Sequence, residues 1–359
     1  MQTSDNTRIR AGGANDNKRV DCDKPKFYLC PAMKHISIII PQGQFSLVNV
    51  EGAHHLFGWS NQLLAELGRK PMFTVELVGL KRSATICGGL YTIHPQRLIG
   101  DVKRTNLIIL PAVHSDQTEA LRLNAQLLPW LVDQHRRGAE IASFCVGSFL
   151  LAATGLLAGR ACSTHWRYAQ MFRALYPDAL LTDDKIVTDA DGIYTSGGAY
   201  SFTNLLVYLV EKYAGRDVAL LTARTFMIDL GQHSQGAFAL FAGQKDHGDA
   251  TVLEAQAFIE SNVGEKLSVD AVLARLPLGR RTFERRFKKA TANSVGEYIQ
   301  RVKMEAAKKA LESGRANINE AMWEVGYSDA KAFRDVFRKT TGLSPAAYRA
   351  RYSVGVSGE

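Results

Sequence analysis

The chain contains 359 residues, of which 46% are hydrophobic and 22% are charged, and its formal net charge is +9 at pH 7. These values are typical of a soluble protein with two or three domains, and no apolar run approaches the roughly 20 residues of a membrane span. The five cysteines form no metal-ligand spacing, and their odd number argues against a disulfide framework. With a polar N-terminus that lacks a signal core, they predict a cytoplasmic protein with no membrane partner, metal or cofactor.

The positive charge is concentrated in the C-terminal third. Residues 251–359 hold 19 Lys and Arg against 13 Asp and Glu, whereas residues 35–250 hold 18 of each. A neutral body with a basic third favours a polyanionic partner for that third. A solvated basic surface is the alternative interpretation of the same numbers.

In chain order, residues 1–34 are polar and aperiodic and predict a flexible tail. Residues 35–228 alternate short apolar runs with helical stretches, which predicts a parallel sheet covered by helices on both faces. The predicted fold of this part is therefore α/β, a doubly wound parallel sheet. The predicted strands are HISIII, MFTVELVG, TNLIILPA, AEIASF and KIVTD, and the predicted helices include EALRLNAQLLPWLVDQHRR and TNLLVYLVEKYAG.

Within this part, the run AEIASF is followed at once by Cys145 and a new helix. A nucleophile at a sharp strand-to-helix corner is held exposed, and the helix N-terminus is expected to favour the thiolate. His165, twenty residues further on, is a candidate base. A packed cysteine and a hydrogen-bonded histidine are the structural alternative, and the residues alone leave both open.

Residues 229–250 are rich in glycine and polar residues and predict a linker. Residues 251–352 predict an all-α domain, followed by a short tail at 353–359. This domain contains one segment twice, because TFERRFKKATANSVGEY, from 282, and AFRDVFRKTTGLSPAAY, from 332, align without a gap. In each copy two phenylalanines stand four residues apart, share a helix face and predict a buried anchor.

Each copy consists of a short helix, a tight turn and a second helix with a basic outer face, which is the plan of a helix-turn-helix motif. The second helix, here termed the reader helix, lies in the major groove in such motifs. Between the copies, about 18 residues of strong helix formers span roughly 27 Å, comparable with the ~34 Å of one DNA turn. The sequence thus predicts two readers in one chain, and the alternative is a helical bundle duplicated for protein interaction. The predicted DNA-contacting residues are Arg280, Arg281, Glu284, Arg285, Lys288, Lys331, Arg334 and Arg338.

Residues 252–352 resemble the DNA-binding domain of AraC-family transcription regulators. The resemblance is carried by TFERRFKKAT, EYIQRVKMEAAKKAL and VGYSDAKAFRDVFRKTTGLSPAAYR. It implies binding to double-stranded promoter DNA, and contact with RNA polymerase if the protein is an activator. Asp335 stands where the family usually has arginine, and Ala292-Asn293 replace a family glycine, where Asn293 is expected to adopt a left-handed conformation.

The N-terminal part resembles the ThiJ/PfpI-like fold, which is flavodoxin-like and related to class I glutamine amidotransferases. Through GLLAGR, STHW, YTSGG and LLVYLVEKYAGRDVA, the whole chain resembles the GlxA-type branch of AraC regulators. The resemblance places Cys145 at the elbow and His165 at the downstream histidine, and Asn49 stands in the loop after the first strand where the branch usually has Asp. It therefore implies a retired active site that binds a small effector. The expected effector-binding residues are Gln44, Asn49, Cys145, His165, Ser196 and Gly197.

The sequence therefore predicts a transcription regulator, expected to be a homodimer, that binds a small nitrogenous metabolite without turning it over. One alternative is an enzyme, a cysteine-dependent amidase or glyoxalase-type protein that uses Cys145 with His165. Another is a redox sensor that uses Cys145 alone. Trp59 and Trp166 are candidates for a cation–π wall around a cationic effector, although packing is the simpler interpretation.

Overall fold

The computed structural model of the chain describes residues 33–353, except for residues 183, 232, 233, 242 and 246. Residues 1–32 and 354–359, which hold nearly all of the two predicted tails, lie outside the described residues. The chain from Met33 onward belongs to one compact unit. None of its described helices is both long and apolar enough to cross a bilayer.

The described residues form eleven short strands, seven of which build the main sheet. The strands are β1 (Lys34–Ile40), β2 (Phe73–Gly79), β3 (Ala84–Ile86), β4 (Tyr91–Ile93), β5 (Arg97–Leu98), β6 (Leu107–Leu110), β7 (Glu140–Phe144), β8 (Ala161–Cys162), β9 (Leu180–Leu181), β10 (Val187–Ala190) and β11 (Ile193–Ser196). The main sheet has the order β10-β11-β7-β6-β1-β2-β5. Its neighbouring strands are parallel, apart from the antiparallel pair β10 and β11.

Helices separate these strands and dominate the described chain from Ala250 onward. In the sheet-containing part they are α1 (Leu47–Glu66), α2 (Gln117–Leu123), α3 (Leu127–Arg136), α4 (Ser148–Ala153), α5 (Ala169–Leu175), α6 (Phe202–Ala214) and α7 (Arg216–Thr225). In the helical part they are α8 (Ala250–Ser261), α9 (Val269–Leu273), α10 (Arg280–Thr291), α11 (Val295–Glu312), α12 (Ile318–Glu324), α13 (Ala330–Thr341) and α14 (Pro345–Tyr352). Short 3-10 helices lie at Cys87–Gly89, Ile99–Asp101, Cys145–Gly147 and Trp166–Tyr168.

Apolar side chains of the main sheet alternate between two cores, one on each face. In β1, Ile36, Ile38 and Ile40 face the core that α1, α6 and α7 cover, and Ile39 faces the core beneath α3 and α4. Strands that are apolar on both sides belong to parallel sheets buried on both faces. The predicted doubly wound α/β fold is confirmed.

The order of the strands reverses between β1 and β6. From β1 the chain passes to β2 on one side, and it later places β6 on the other side of β1. In open parallel sheets, ligands bind at such a switch point, outside the carboxyl ends of the strands. The corner at Cys145 follows β7, which pairs with β6, and therefore lies at this end of the sheet.

One predicted helix differs from the structure, and some strands, among them β11, were not predicted. The long helix predicted before β7 is divided into α2 and α3, because the buried side chain of Asn124 turns to the loop after β1. It accepts the N–H of Gln42 at 2.8 Å and donates to the carbonyl of Gln42 at 2.9 Å, two contacts with a residue 82 positions away. The strand β11 was not predicted, since its four residues follow β10 after only Asp191 and Gly192, both with positive φ as in a tight hairpin.

The helical part has two cores, one for each copy of the duplicated segment. Phe283 and Phe287 of α10 are fully buried in the first core, and Phe333 and Phe337 of α13 occupy the same place in the second. The predicted anchor faces are thus buried. The helix α11 runs between the two cores and contributes side chains to both.

The end of the first reader helix, α10, differs from the expectation. Ala292, rather than Asn293, adopts the left-handed conformation, with φ +56°, and its N–H donates to the carbonyl of Lys288 at 2.9 Å. Gly342 takes the equivalent position after α13, with φ +77°. The Asn293 side chain instead donates to the carbonyl of Thr291 at 2.6 Å. The left-handed position therefore falls on a residue that has a Cβ and no side-chain hydrogen bond to compensate.

Candidate functional sites

Cys145 lies at a strained corner between β7 and α4. Its φ is +53°, a region that residues with a Cβ rarely adopt. Two residues further on, a Cβ at Gly147 would lie 2.6 Å from the carbonyl oxygen of Pro111, so only glycine fits there. The hydroxyl of Ser148 donates to the Cys145 carbonyl at 3.0 Å and braces the turn.

The Cys145 thiol is buried, with 3% of the residue exposed. Burial raises the pKa of this thiol to about 11, although the N–H of Val146 acts in the opposite direction. The expectation that the helix N-terminus favours the thiolate is therefore wrong. Desolvation of the charged form outweighs the single N–H bond, and the group is a thiol at neutral pH.

His165 precedes a short turn of helix and caps it. Its Nδ1 accepts the N–H of Arg167 at 3.1 Å. Burial lowers the pKa of the ring, and the nearby charges of Arg167 and His114 act in the same direction. Within the described part of the chain, no hydrogen bond joins the ring of this candidate base to the Cys145 thiol.

His114 belongs to the same neighbourhood and was missed by the sequence analysis. It follows β6, and its N–H donates to the carbonyl of Gln44 at 2.7 Å. Burial lowers the pKa of its ring, and its electrostatic influence reaches His165. The loops after β1 and β6 therefore approach His165. A histidine four residues beyond a buried strand was the available signal.

Gln44 lies in the loop after β1, whereas Asn49 lies in the first turn of α1 and not in that loop as expected. The helix begins already at Leu47. The Gln44 side-chain oxygen accepts the N–H of Cys87 at 3.0 Å, and that of Asn49 accepts the N–H of Ala112 at 3.1 Å. Asn49 is 1% exposed, and its Nδ2 has no hydrogen-bond partner among the described residues.

Ser196 and Gly197 lie at the carboxyl end of β11, beside the β7 corner. Ser196 is in register with Phe144, the residue before Cys145. The hydroxyls of Ser196 and Ser143 are buried and find no partner in the described chain. Buried polar atoms are normally hydrogen-bonded, so these two unpartnered hydroxyls are unusual features of this end of the sheet.

A chain of hydrogen bonds connects the corner to the segment predicted as a linker. Ser148 Oγ lies 2.8 Å from Thr164 Oγ1, and Nε2 of Gln235 donates to the Thr164 carbonyl at 2.9 Å. The Gln235 oxygen accepts the N–H of Trp166 at 3.2 Å. A Cβ at Gly197 would lie 2.2 Å from Gln235 Nε2, which explains the glycine there. Nothing in the polar, glycine-rich sequence around Gln235 signals this contact.

The two candidate tryptophans have different surroundings. Trp59 packs edge-on against Phe226, with ring centroids 6.5 Å apart. Trp166 lies beside the ring of His165, with centroids 5.3 Å apart. Packing therefore accounts for Trp59, and Trp166 is the tryptophan that borders the corner.

The two reader helices, α10 and α13, show the same pattern of exposure along their twelve residues. Each buries its two phenylalanines and exposes the two positions that follow the first of them. The first helix carries six basic residues and one acidic residue, and the second carries four basic residues and one acidic residue. All the predicted DNA-contacting residues are exposed, namely Arg280, Arg281, Glu284, Arg285, Lys288, Lys331, Arg334 and Arg338.

The basic residues of α10 differ in how they are paired. Arg280 donates to Asp270 at 2.9 Å and to Glu284 at 3.0 Å. Arg281 and Arg285 form no hydrogen bond or ion pair with the rest of the described chain. They stand one turn apart on the exposed face, where both guanidinium groups point to solvent. Within α10, these two arginines are the groups best placed to meet an external partner.

The helix α11 separates the two reader helices and fixes their distance. It has 18 residues and begins with a capping box in which Ser294 and Glu297 satisfy each other's backbone N–H groups. At 1.5 Å per residue its length is roughly 27 Å. Its buried Lys303 donates to the carbonyls of Val263 and Val325, at 2.7 Å and 2.5 Å, and so ties the two halves together.

Comparison with known protein families identifies the class of each part. Residues 62–212 match the DJ-1/PfpI family, and residues 272–351 match a helix-turn-helix domain. The chain is therefore a protein that joins a DJ-1/PfpI domain to a helix-turn-helix domain of the AraC type. The combination predicted from the sequence is confirmed.

Individual relatives are similar to parts of this chain. The HTH-type transcriptional regulator GbdR of Pseudomonas aeruginosa is 23% identical over 227 residues, covering 63% of this chain and 62% of GbdR. The HTH-type transcriptional regulator GlxA of Rhizobium meliloti is 22% identical over 220 residues, covering 60% of this chain and 67% of GlxA. Isonitrile hydratase of Pseudomonas putida is 31% identical over 96 residues, covering 27% of this chain and 41% of that enzyme. The chain thus spans less than two thirds of the length of GbdR.

Proposed function

We propose that this protein is a sequence-specific DNA-binding transcription regulator that responds to a small effector. The observation that carries the proposal is the repetition of one basic, phenylalanine-anchored reader helix at both ends of an 18-residue helix. A spacing of roughly one DNA turn lets one chain address two successive major grooves. The names of the relatives GbdR and GlxA, both transcriptional regulators, support the same conclusion. The proposed partner is double-stranded promoter DNA, with RNA polymerase as a further partner if the protein activates transcription.

The effector site is proposed at the carboxyl end of the sheet, around the Cys145 corner. Unpartnered buried groups of Asn49 and Ser196 offer hydrogen bonds there, and neutral His114 and His165 offer further ones. The site is proposed to bind without catalysis, because the thiol is protonated and unpaired and because Asn49 stands where the GlxA-type branch usually has Asp. A small nitrogenous metabolite is the proposed effector.

The test of DNA reading is selection of duplexes from a random library with the full chain. We expect a consensus of two short elements about 10 base pairs apart. Arg285→Ala should then lose about 1–3 kcal/mol of binding and relax one base position of the first element. Arg216→Ala removes the same charge from an exposed helix of the sheet-containing part and is the matched control. Recovery of no consensus would contradict the proposal.

A cysteine-dependent enzyme is the second candidate function. It is favoured by the left-handed φ of Cys145, which resembles a nucleophile elbow, and by the similarity to isonitrile hydratase. Turnover of isonitrile, amide or dicarbonyl substrates that disappears in Cys145→Ala would establish this function. If the parent chain shows no more turnover than Cys145→Ala, the enzyme is ruled out for these substrates and the regulator is the function that stands.

The full chain is proposed to act as a homodimer. Two copies bring four reader helices to one DNA site. Once one copy is bound, the linked copy is held at a high effective concentration near the DNA, which raises the apparent affinity. Sedimentation velocity at micromolar concentration, with and without the selected duplex, measures the oligomeric state. A monomer under both conditions would contradict this part of the proposal.

A further inference from the structure

Residues 234–241, here termed the strap, contact both parts of the protein. At the start of the strap, Gln235 is 2% exposed and reaches the carboxyl end of the sheet. Its Nε2 lies 2.9 Å from the carbonyl of Thr164, 3.3 Å from the carbonyl of Lys185 and 3.5 Å from the hydroxyl of Ser163. One nitrogen is therefore surrounded by three oxygen atoms, an arrangement here termed the oxygen cage.

The two neighbours of Gln235 touch the last turn of the second reader helix, α13. A Cβ at Gly236 would lie 2.2 Å from the carbonyl oxygen of Thr340, and a Cβ at Gly342 would lie 2.8 Å from Cβ of Ser234. Both distances are shorter than real contacts of a Cβ, so the strap and the end of α13 fit together without spare room. The contact with the effector site and the contact with the reader helix are thus one residue apart.

The remainder of the strap is held on α11. Ala237 belongs to the second core of the helical part. The ammonium of Lys308, which is almost fully buried beside Glu305, donates to the carbonyl of Ala239, and Glu305 accepts the N–H of Phe241 at 3.2 Å. A strap fixed at this end cannot absorb a displacement of Gln235 by sliding, so the displacement is passed to its nearest neighbours at α13.

From this arrangement, and resting on the proposed function, we propose that the strap couples the effector site to the second reader helix. An effector that places its own N–H donor in the oxygen cage displaces the Gln235 amide and loosens the last turn of α13. Because such an effector binds only the displaced arrangement, it shifts the population toward that arrangement. The first reader helix is held elsewhere, by the bidentate pair of Arg286 with Asp249 at 2.6 and 2.9 Å, so the effect falls on one reader.

The oxygen cage also defines the chemistry of the displacing group. Three uncharged oxygens suit a primary ammonium or a carboxamide nitrogen, which have N–H donors to direct at them. The same chain holds the ammonium of Lys303 in this way, on the carbonyls of Val263, Glu265 and Val325 at 2.5 to 2.7 Å. A quaternary ammonium group has no N–H and gains nothing from the cage.

The experiment measures hydrogen exchange in the full chain with Gln235→Glu, which turns the donor nitrogen into an oxygen facing three oxygens. We expect exchange of the amides at the end of α13, residues 338–343, to accelerate about tenfold while α10 is unchanged. Gln170→Glu makes the same chemical change on the exposed surface of α5 and should alter neither helix. With the selected duplex, Gln235→Glu should lose base discrimination in the element read by α13 only.

Gly236→Ala is the second variant and acts from the other side, since its Cβ meets the carbonyl of Thr340. It should accelerate exchange at the end of α13 in the same way. If Gln235→Glu also accelerates exchange in the sheet-containing part, Gly236→Ala is the variant that tests the coupling. Unchanged exchange at α13 in both variants, or an equal change in α10, would overturn the coupling. Failure of the parent protein to select DNA would refute the proposed function, whereas the exchange measurement still decides the coupling.

Discussion

The reactivity of the Cys145 thiol distinguishes a non-catalytic site from an active nucleophile. The expected decrease in its reactivity can be calculated from the pKa of the thiol. Burial raises the pKa of the thiol from an ordinary value of 9.0 to about 11. At pH 8 the thiolate fraction therefore falls from about 10% to about 0.1%, a reduction of about 100-fold. Because the thiolate is the nucleophile, alkylation of Cys145 should be slower than that of an ordinary exposed thiol by at least this factor.

The assay is timed alkylation of the full chain with iodoacetamide at pH 8, followed by mass spectrometry of the peptides. Cys87 is exposed and provides the reference in the same molecule. We expect Cys145 to react about 100-fold more slowly than Cys87, its rate to rise about tenfold per pH unit up to pH 10, and the difference to vanish in guanidinium. Alkylation of Cys145 at or above the rate of Cys87 would refute the reasoning and favour the enzyme.

Three further predictions concern the helical part and the proposed effector site. Ala292→Gly should raise the opening free energy at the end of α10 by about 1 kcal/mol in hydrogen exchange, because it removes the Cβ of a residue in the left-handed conformation. Gly342→Ala should lower the opening free energy at the end of α13 by at least as much. Opening free energies equal to those of the parent chain in both variants would contradict this prediction. Arg286→Ala should destabilise the folded chain near pH 7, because its guanidinium holds the pKa of Asp249 below the ordinary value. The difference in stability should be complete above about pH 4 and shrink as the pH falls through the lowered pKa of Asp249. A loss of stability that does not depend on pH would contradict this reasoning. In a reporter assay, Cys145→Ser should keep DNA binding and effector response whereas Cys145→Trp should block the response by filling the site; loss of response in the folded serine variant would show that the thiol is needed chemically.

The fold was predictable where the local pattern and the tertiary structure agree. The apolar runs of β1, β6 and β7 are continuous because both faces of the strands are buried, and paired phenylalanines marked the inner faces of α10 and α13. The prediction failed where one side chain acts at long range. Asn124 ends α2 by binding the loop after β1, 82 residues away in sequence, and no local pattern reports such a bond.

The position of the strand-to-helix corner could be predicted from the sequence, but the protonation state of its thiol could not. The position of Cys145 follows from a buried strand followed at once by a helix, whereas the state of its thiol depends on burial, which tertiary packing decides. His114 and Gln235 escaped prediction because their partners, the carbonyls of Gln44 and Thr164, lie about 70 residues away along the chain. The left-handed conformation falls on Ala292 rather than Asn293 for a different reason. The Asn293 side chain donates to the nearby carbonyl of Thr291, and this bond competes with the expected turn.

The most direct test of the central claim, that one chain reads DNA with two helices, is base discrimination at the selected duplex by reader variants of the full chain. Arg285→Ala alters α10 and Arg334→Ala alters α13, and both side chains are exposed. We predict that each variant loses about 1–3 kcal/mol and relaxes a different element, with the two elements about 10 base pairs apart. Loss of discrimination at the same base pairs in both variants, or a uniform loss over all sequences, would contradict the account.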